Sequence, residues 1–383
     1  MQICPAFLRQ LHEDLRYGSK FWLSTELAHG VPDMALYLDT TIQSAKVWIR
    51  AAPRTCIKSE AFDITLLILP LATGLGAAAA VQANPALFTP VLVANLWLLG
   101  YHLVATYTRL AFLQETLPRN RFPAIALLVV VTAATLALAF TGAWIVVSAF
   151  FYLQWFHCMR QGHRLARMYF QVTRKGRLTG SHDLATDLVI YLVPIYAIAV
   201  RSATMGATFL DLPIKLVVFP DPVIAALGVA AAAAGLLWLV WCSISFARGT
   251  LDNIYAAFVL SHVAIFLVGY MAVEDVNIGW LAINVWHNVQ HGMVVWMMKQ
   301  KHAGGEDRAA QLLARSSQPG RMVIYFASCL ALSTVVYVAL SSSVAALGGG
   351  LALTVGVYIA INFHHYVVDA LLWKRRRALP QSC

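Results

Sequence analysis

Residues Pro222–Phe246 read PVIAALGVAAAAAGLLWLVWCSISF, 25 residues without a single charge. A helix rises about 1.5 Å per residue and the bilayer hydrocarbon is about 30 Å thick, so roughly 20 such residues cross it. Nine further stretches have the same character: Phe62–Val81, Ala86–Phe112, Phe122–Phe140, Ala143–His157, Leu188–Leu210, Asn253–Val273, Gly279–Met298, Met322–Ser343 and Gly348–Trp373. The composition of the 383 residues agrees, with 60% hydrophobic and 12% charged, where a soluble domain carries about 25% charged residues. A soluble core cannot absorb that much apolar surface, and a bilayer can. The reading is all-α: a polytopic integral membrane helix bundle of about ten transmembrane helices.

The connections between the spans set the orientation. From a cytoplasmic N-terminus, the inner side receives Arg50, Arg54, Arg119, Arg121, the run from Arg160 to Arg177, Arg248, the stretch from Lys299 to Arg321 and Lys374-Arg375-Arg376-Arg377. The outer side receives only Lys215, with Asp211, Asp221, Glu274 and Asp275, while Arg201 falls inside a span. That is the positive-inside pattern, and it places both termini in the cytoplasm of a bacterium bounded by its inner membrane. The net charge of +10 is then a topology signal facing anionic lipid, and no nucleic-acid partner is expected.

Residues 1–60 form a mixed, amphipathic cytoplasmic segment with no cleavable signal peptide, 61–375 a single transmembrane domain, and 376–383 a basic tail. Thr141-Gly142 makes a tight turn between the third and fourth spans. The fourth continues as a basic helix toward Arg174, since no proline interrupts it. The six cysteines include no C-x-x-C pair, so neither a disulfide framework nor a cysteine zinc site is expected.

Histidine carries the functional signal. Of twelve, His102, His157, His262, His287, His291, His364 and His365 fall in or at the end of apolar spans, where ionisable side chains are costly and mark function. Counted from the span ends, most lie roughly 10–17 Å below the inner surface, with His157 nearer to it. His287 and His291 form H-x-x-x-H and share one helix face, with Asn284 preceding them. Three further stripes are His102, Thr106 and Arg109; His157, Gln161 and Arg164; and Asn362, His365 and Asp369. Asp187 and Tyr191 enter the fifth span from the inner side.

Imidazole suits iron, zinc, copper and nickel. Seven imidazoles with Asp187 and Asp369 could hold two metal ions, with Thr106, Gln161 and Asn284 hydrogen-bonded behind them. Arg109, Arg160 and Arg164 read as membrane anchors or as a clamp for a lipid headgroup. Against this stands the bland alternative, in which a lone intramembrane histidine simply bonds a neighbouring helix.

Four strings resemble a group of largely uncharacterised bacterial multi-pass membrane proteins. They are Tyr101-His102 through Arg109, Trp155-Phe156-His157-Cys158-Met159-Arg160-Gln161, Trp286-His287-Asn288-Val289-Gln290-His291, and Asn362-Phe363-His364-His365-Tyr366 through Lys374. The set is also similar to the membrane-bound di-iron fatty-acid desaturases and hydroxylases. It departs from their H-x-x-H-H boxes, since Ile361 stands three before His364, and it lies within spans. The resemblance implies a non-haem enzyme with two irons, using O2 and an electron donor on a fatty acyl lipid for hydroxylation, desaturation or oxidative ring formation, the furan-fatty-acid oxygenase type among them. Two other classes remain open: a b-type haem protein in quinol-linked electron transfer, and a lipid transporter or acyltransferase with one histidine as base.

Overall fold

A computed structural model describes residues 56–97, 121–173, 184–248, 253–299, 315, 318–346, 348 and 350–374. The chain divides into residues 1–52 and 53–383, and every described residue belongs to the second unit. Ten helices make up nearly all of it: α1 Glu60–Ala83, α2 Pro85–Trp97, α3 Arg121–Thr141, α4 Ala143–Thr173, α5 Leu184–Thr204, α6 Asp221–Ala247, α7 Asn253–Leu267, α8 Val276–Lys299, α9 Met322–Ala346 and α10 Leu351–Lys374.

The expected all-α class is observed. Five helices are long and apolar enough to cross a membrane: α1, α5, α6, α7 with its extension to Ala272, and α9 from Val323. In α2 and α3 the apolar stretches described are shorter, Pro85–Trp97 and Ala126–Thr141. α4, α8 and α10 carry His157, His287, His291, His364 and His365.

Local chemistry sets the helix ends. Ser59 caps α1 by accepting from Phe62 N at 3.2 Å, with Glu60 and Asp63 in the first turn, where the helix dipole favours acids. Asn84 ends α1 and caps the 3-10 turn that opens α2, while Pro85 takes the first position. Gly142 separates α3 from α4, and a Cβ there would meet the Trp144 indole at 3.0 Å. Gly348, at φ +66, precedes α10 in the left-handed conformation that glycine adopts freely.

The fifth span ends earlier than its sequence suggested. Leu188–Leu210 read as one apolar run, but α5 stops at Thr204 and the chain turns into a hairpin, with Thr208–Phe209 (β1) antiparallel to Leu212–Pro213 (β2). The turn residues Leu210 and Asp211 have φ of 50 and 61, a conformation that costs a non-glycine residue free energy. Tertiary contacts offset the cost. Leu210 N donates to Asn277 Oδ1 at 2.8 Å, and Phe209 is buried edge-on to Phe151 and Trp280, with centroids 5.3 Å apart in both cases. The following strand of chain is tied to α4 by Lys215 N on Ser148 Oγ and Val217 N on Tyr152 OH.

Arg201, read as lying inside a span, is buried beside this hairpin end. Its guanidinium donates to the carbonyls of Tyr270, Val273 and Glu274. α7 finishes there in a π-turn, Val268–Ala272, and the guanidinium satisfies carbonyls that the turn leaves without intrahelical donors.

Small residues let the helices approach closely, as membrane bundles require. A Cβ on Gly74 of α1 would meet Ala282 O of α8 at 2.7 Å, and one on Gly356 of α10 would meet Leu136 of α3 at 2.8 Å. Gly279 of α8 sits against the Gly269 backbone of the π-turn. Cys56 is disulfide-bonded. Among the described residues Cys158, Cys242 and Cys329 are free thiols.

Candidate functional site: a column of buried imidazoles and amides

α4, α8 and α10 run parallel, and their polar residues meet level by level. Nearest the hairpin, Trp280 Nε1 donates to Gln154 Oε1 at 2.6 Å, Asn284 Nδ2 donates to Trp280 O at 2.8 Å, and Gln154 Nε2 bonds Asn284 Oδ1. One turn on lie His157, His287 and His365. One turn further, Gln161 Nε2 meets His291 Nδ1. Below them Arg164 pairs with Asp369 at 3.6 Å, and the carboxylate is almost fully buried. Each level is about 5.4 Å from the next, the pitch of the helix.

The four imidazoles form a closed ring. Centroids are 5.1 Å apart for His157–His287 and for His157–His365, 6.1 Å for His287–His291 and 6.2 Å for His291–His365. All four side chains are buried, His157 being the most exposed at 7%. His287 and His291 stack at 28° as neighbours on one face of α8, as H-x-x-x-H predicts. Tyr366, next to His365, stacks on His157 with centroids 4.5 Å apart.

Among the described residues, no group of three or more His, Cys, Asp or Glu converges to hold a metal ion as the side chains stand. The spacing of the rings is nevertheless compatible with one. With metal–nitrogen bonds of about 2.0–2.1 Å, two imidazoles on one ion have centroids about 4.5–6.5 Å apart, and all four ring separations fall in that interval. The donor set also fits: clustered neutral imidazoles suit a divalent transition metal. For His291 to present Nε2 to an ion, its Nδ1–H must donate to Oε1 of Gln161, with the carboxamide turned over from the Nε2 contact. Which amide atom faces the ring is fixed by the hydrogen-bond network rather than by the heavy atoms.

The other expected site residues are distributed as follows. His262 is fully buried but belongs to a different contact. Its ring lies against Phe266 and Trp286, with centroids 4.9 and 5.8 Å apart, and over Gly162, where any Cβ would overlap it. His364 is buried about 100° round α10 from His365. Asp187, read as a ligand, pairs with His163 Nε2 at 2.8 Å across α4 and α5. Asn284 bonds Gln154, while Asn362 bonds its own helix at Tyr358 O. Arg160 is exposed, its guanidinium 5.7 Å from the Phe156 ring centre. His102, Thr106 and Arg109 lie outside the described residues.

The sequence reading missed Gln154, Trp280, Tyr366 and His163. Gln154 and Trp280 were visible as helical neighbours, at i−3 of His157 and i−7 of His287, but glutamine and tryptophan draw little notice beside histidine. An apolar cavity of about 310 Å³ between α5, α6 and α7, lined by Val193, Tyr196, Gly228, Trp238 and Val263 among others, contains none of the ring histidines. No protein-family model, curated protein or solved structure matches the chain.

Proposed function

We propose that this chain is a membrane-embedded, O2-dependent non-haem iron oxygenase acting on a lipid acyl chain in a bacterial inner membrane. The observation that carries the reading is the ring of His157, His287, His291 and His365, brought together over two adjacent turns of three parallel helices. Iron held by these residues would supply activation of dioxygen for attack on an unactivated C–H bond. Two irons are proposed, with His102 and His364 as further ligands and Asp369 as a carboxylate ligand or orienter.

The chain's own residues have definite tasks. His157, His287, His291 and His365 bind. Gln161 orients His291, and the Gln154–Asn284–Trp280 layer closes the ring on the hairpin side and excludes water. An electron donor is required, because O2 chemistry of this class consumes reducing equivalents. The full topology is ten spans with both ends in the cytoplasm and the hairpin outside. It rests on the basic residues of the connections together with ten helices at the ten apolar segments. The Cys56 disulfide is the observation against a cytoplasmic start, since disulfides persist in oxidising compartments.

The haem reading is weaker on this geometry. A haem takes one histidine on each of its two faces, with a flat macrocycle between them. Here the space flanking each imidazole of the ring is taken by other imidazoles 5.1–6.2 Å away.

One observation favours a second reading. The His163–Asp187 pair is a base oriented by a carboxylate, the arrangement an acyltransferase needs. The test compares lipid extracts from cells carrying the wild-type chain, His287→Ala, His365→Ala or His163→Gln, grown with and without oxygen. The oxygenase predicts an oxygen-dependent lipid product lost in the first two variants and kept in the third. A product lost only in His163→Gln, and independent of oxygen, establishes acyl transfer instead.

A further inference from the structure

We infer that the face of α4 lying between α5 and α10 receives an anionic phospholipid from the bilayer, its phosphate on Arg160 and its chain laid over Phe156 toward Tyr366. The inference rests on the lipid-oxygenase reading for its purpose, but not for its evidence.

Positions 153, 156, 160, 163 and 167 of α4 recur every three or four residues, and 164 borders them, so the six share one face. Leu153 and Phe156 are each 44% exposed, Arg160 is exposed, and His163, Arg164 and Arg167 are half-buried. The stripe therefore changes from apolar to basic within one turn, as an amphiphile lying alongside does.

Both flanks contribute. From α5, Tyr191 lies 5.0 Å from the His163 ring and within electrostatic reach of Arg160, Arg164 and Arg167. From α10, Asp369 holds Arg164, and Tyr366 covers His157, the ring histidine with the most exposure. Charge decides the class of headgroup. Asp187 pairs with His163 and Asp369 with Arg164, and Arg160 has no carboxylate partner among the described residues. A phosphodiester supplies the missing anion, and guanidinium is the side chain whose fork fits it best. The reacting part of the chain then comes beside His157, with Tyr366 as the group that must shift to admit it.

The test uses the full chain in phosphatidylcholine vesicles containing spin-labelled phosphatidylglycerol or spin-labelled phosphatidylcholine, with metal content read on the same samples. The wild type is expected to prefer phosphatidylglycerol. Arg160→Gln is expected to lower that preference about fivefold, and Arg248→Gln, at the exposed arginine that follows α6, to leave it in place. A benzophenone side chain installed at position 366 is expected to crosslink phosphatidylglycerol ahead of phosphatidylcholine. Equal loss in Arg248→Gln, no loss in Arg160→Gln, or crosslinking without lipid preference overturns the inference. These readouts need no metal, so a metal-free chain that still selects phosphatidylglycerol through Arg160 sustains this inference while removing the oxygenase reading.

Discussion

His157 on α4 and His287 on α8 meet edge to face with ring centroids 5.1 Å apart, on two helices that run parallel. The same offset of 130 residues pairs Gln154 with Asn284 and Gln161 with His291. A register held over three levels means that each of these residues is placed by two helices at once.

Removing one imidazole should therefore reduce metal retention without unfolding the bundle. His157→Ala, His287→Ala and His365→Ala are each expected to lower bound iron at least tenfold, measured by elemental analysis of detergent-purified protein. His262→Phe is expected to keep it, because the aromatic site between Phe266 and Trp286 accepts another ring. Iron lost only in the His262 variant would place the centre elsewhere.

Gln161 is expected to act through His291. Removing such a partner of a ligand typically costs about 10–100-fold in metal affinity. Gln161→Ala should show that loss in a chelator competition, and Gln161→Glu should recover much of it by restoring an acceptor for the ring N–H. Equal affinities for all three proteins would remove Gln161 from the site.

Gly162 is expected to be intolerant of any side chain, because the His262 imidazole occupies the place of its Cβ. Gly162→Ala should cost about 1–3 kcal/mol through forced overpacking and lower the thermal midpoint in detergent. The double variant Gly162→Ala/His262→Ala should recover part of that loss. A cost in the double variant equal to or above the sum of the single costs contradicts the contact.

Asp369 and Arg164 form an ion pair whose carboxylate is buried. Breaking such a pair from one side costs about 3–5 kcal/mol, while replacing both partners by apolar groups of similar volume is often near neutral. Asp369→Asn should lower the thermal midpoint clearly, and Arg164→Met/Asp369→Leu should restore it. A metal content lost in Asp369→Asn and not regained in the double variant shows that the carboxylate serves the ring directly.

The proposed topology has its own test. A membrane-impermeant maleimide should label Asp211→Cys, in the hairpin turn, in intact spheroplasts, and Arg248→Cys only after lysis. The reverse pattern inverts the orientation, and would agree with an oxidised Cys56 on the outer side.

Much of this was legible in the sequence, and the exceptions have physical reasons. Each of the ten apolar runs contains a helix among its described residues, and five of those helices are long and apolar enough to cross a membrane. The overshoot at Leu188–Leu210 arose because hydropathy cannot see a turn: Phe209 is apolar since it plugs the core beside Phe151 and Trp280, not because it continues α5. The H-x-x-x-H pair was readable from helical spacing. That His157 and His365 join it, while His262 packs against Gly162, is a fact of helix rotation that no single segment encodes. Asp187 illustrates the same point, since its partner His163 lies on another helix.

The most direct test of the central claim is metal analysis with an absorption spectrum on the purified full chain. The expected result is about two irons per chain and no Soret band. A Soret band, or clean folded protein with neither iron nor haem, contradicts it.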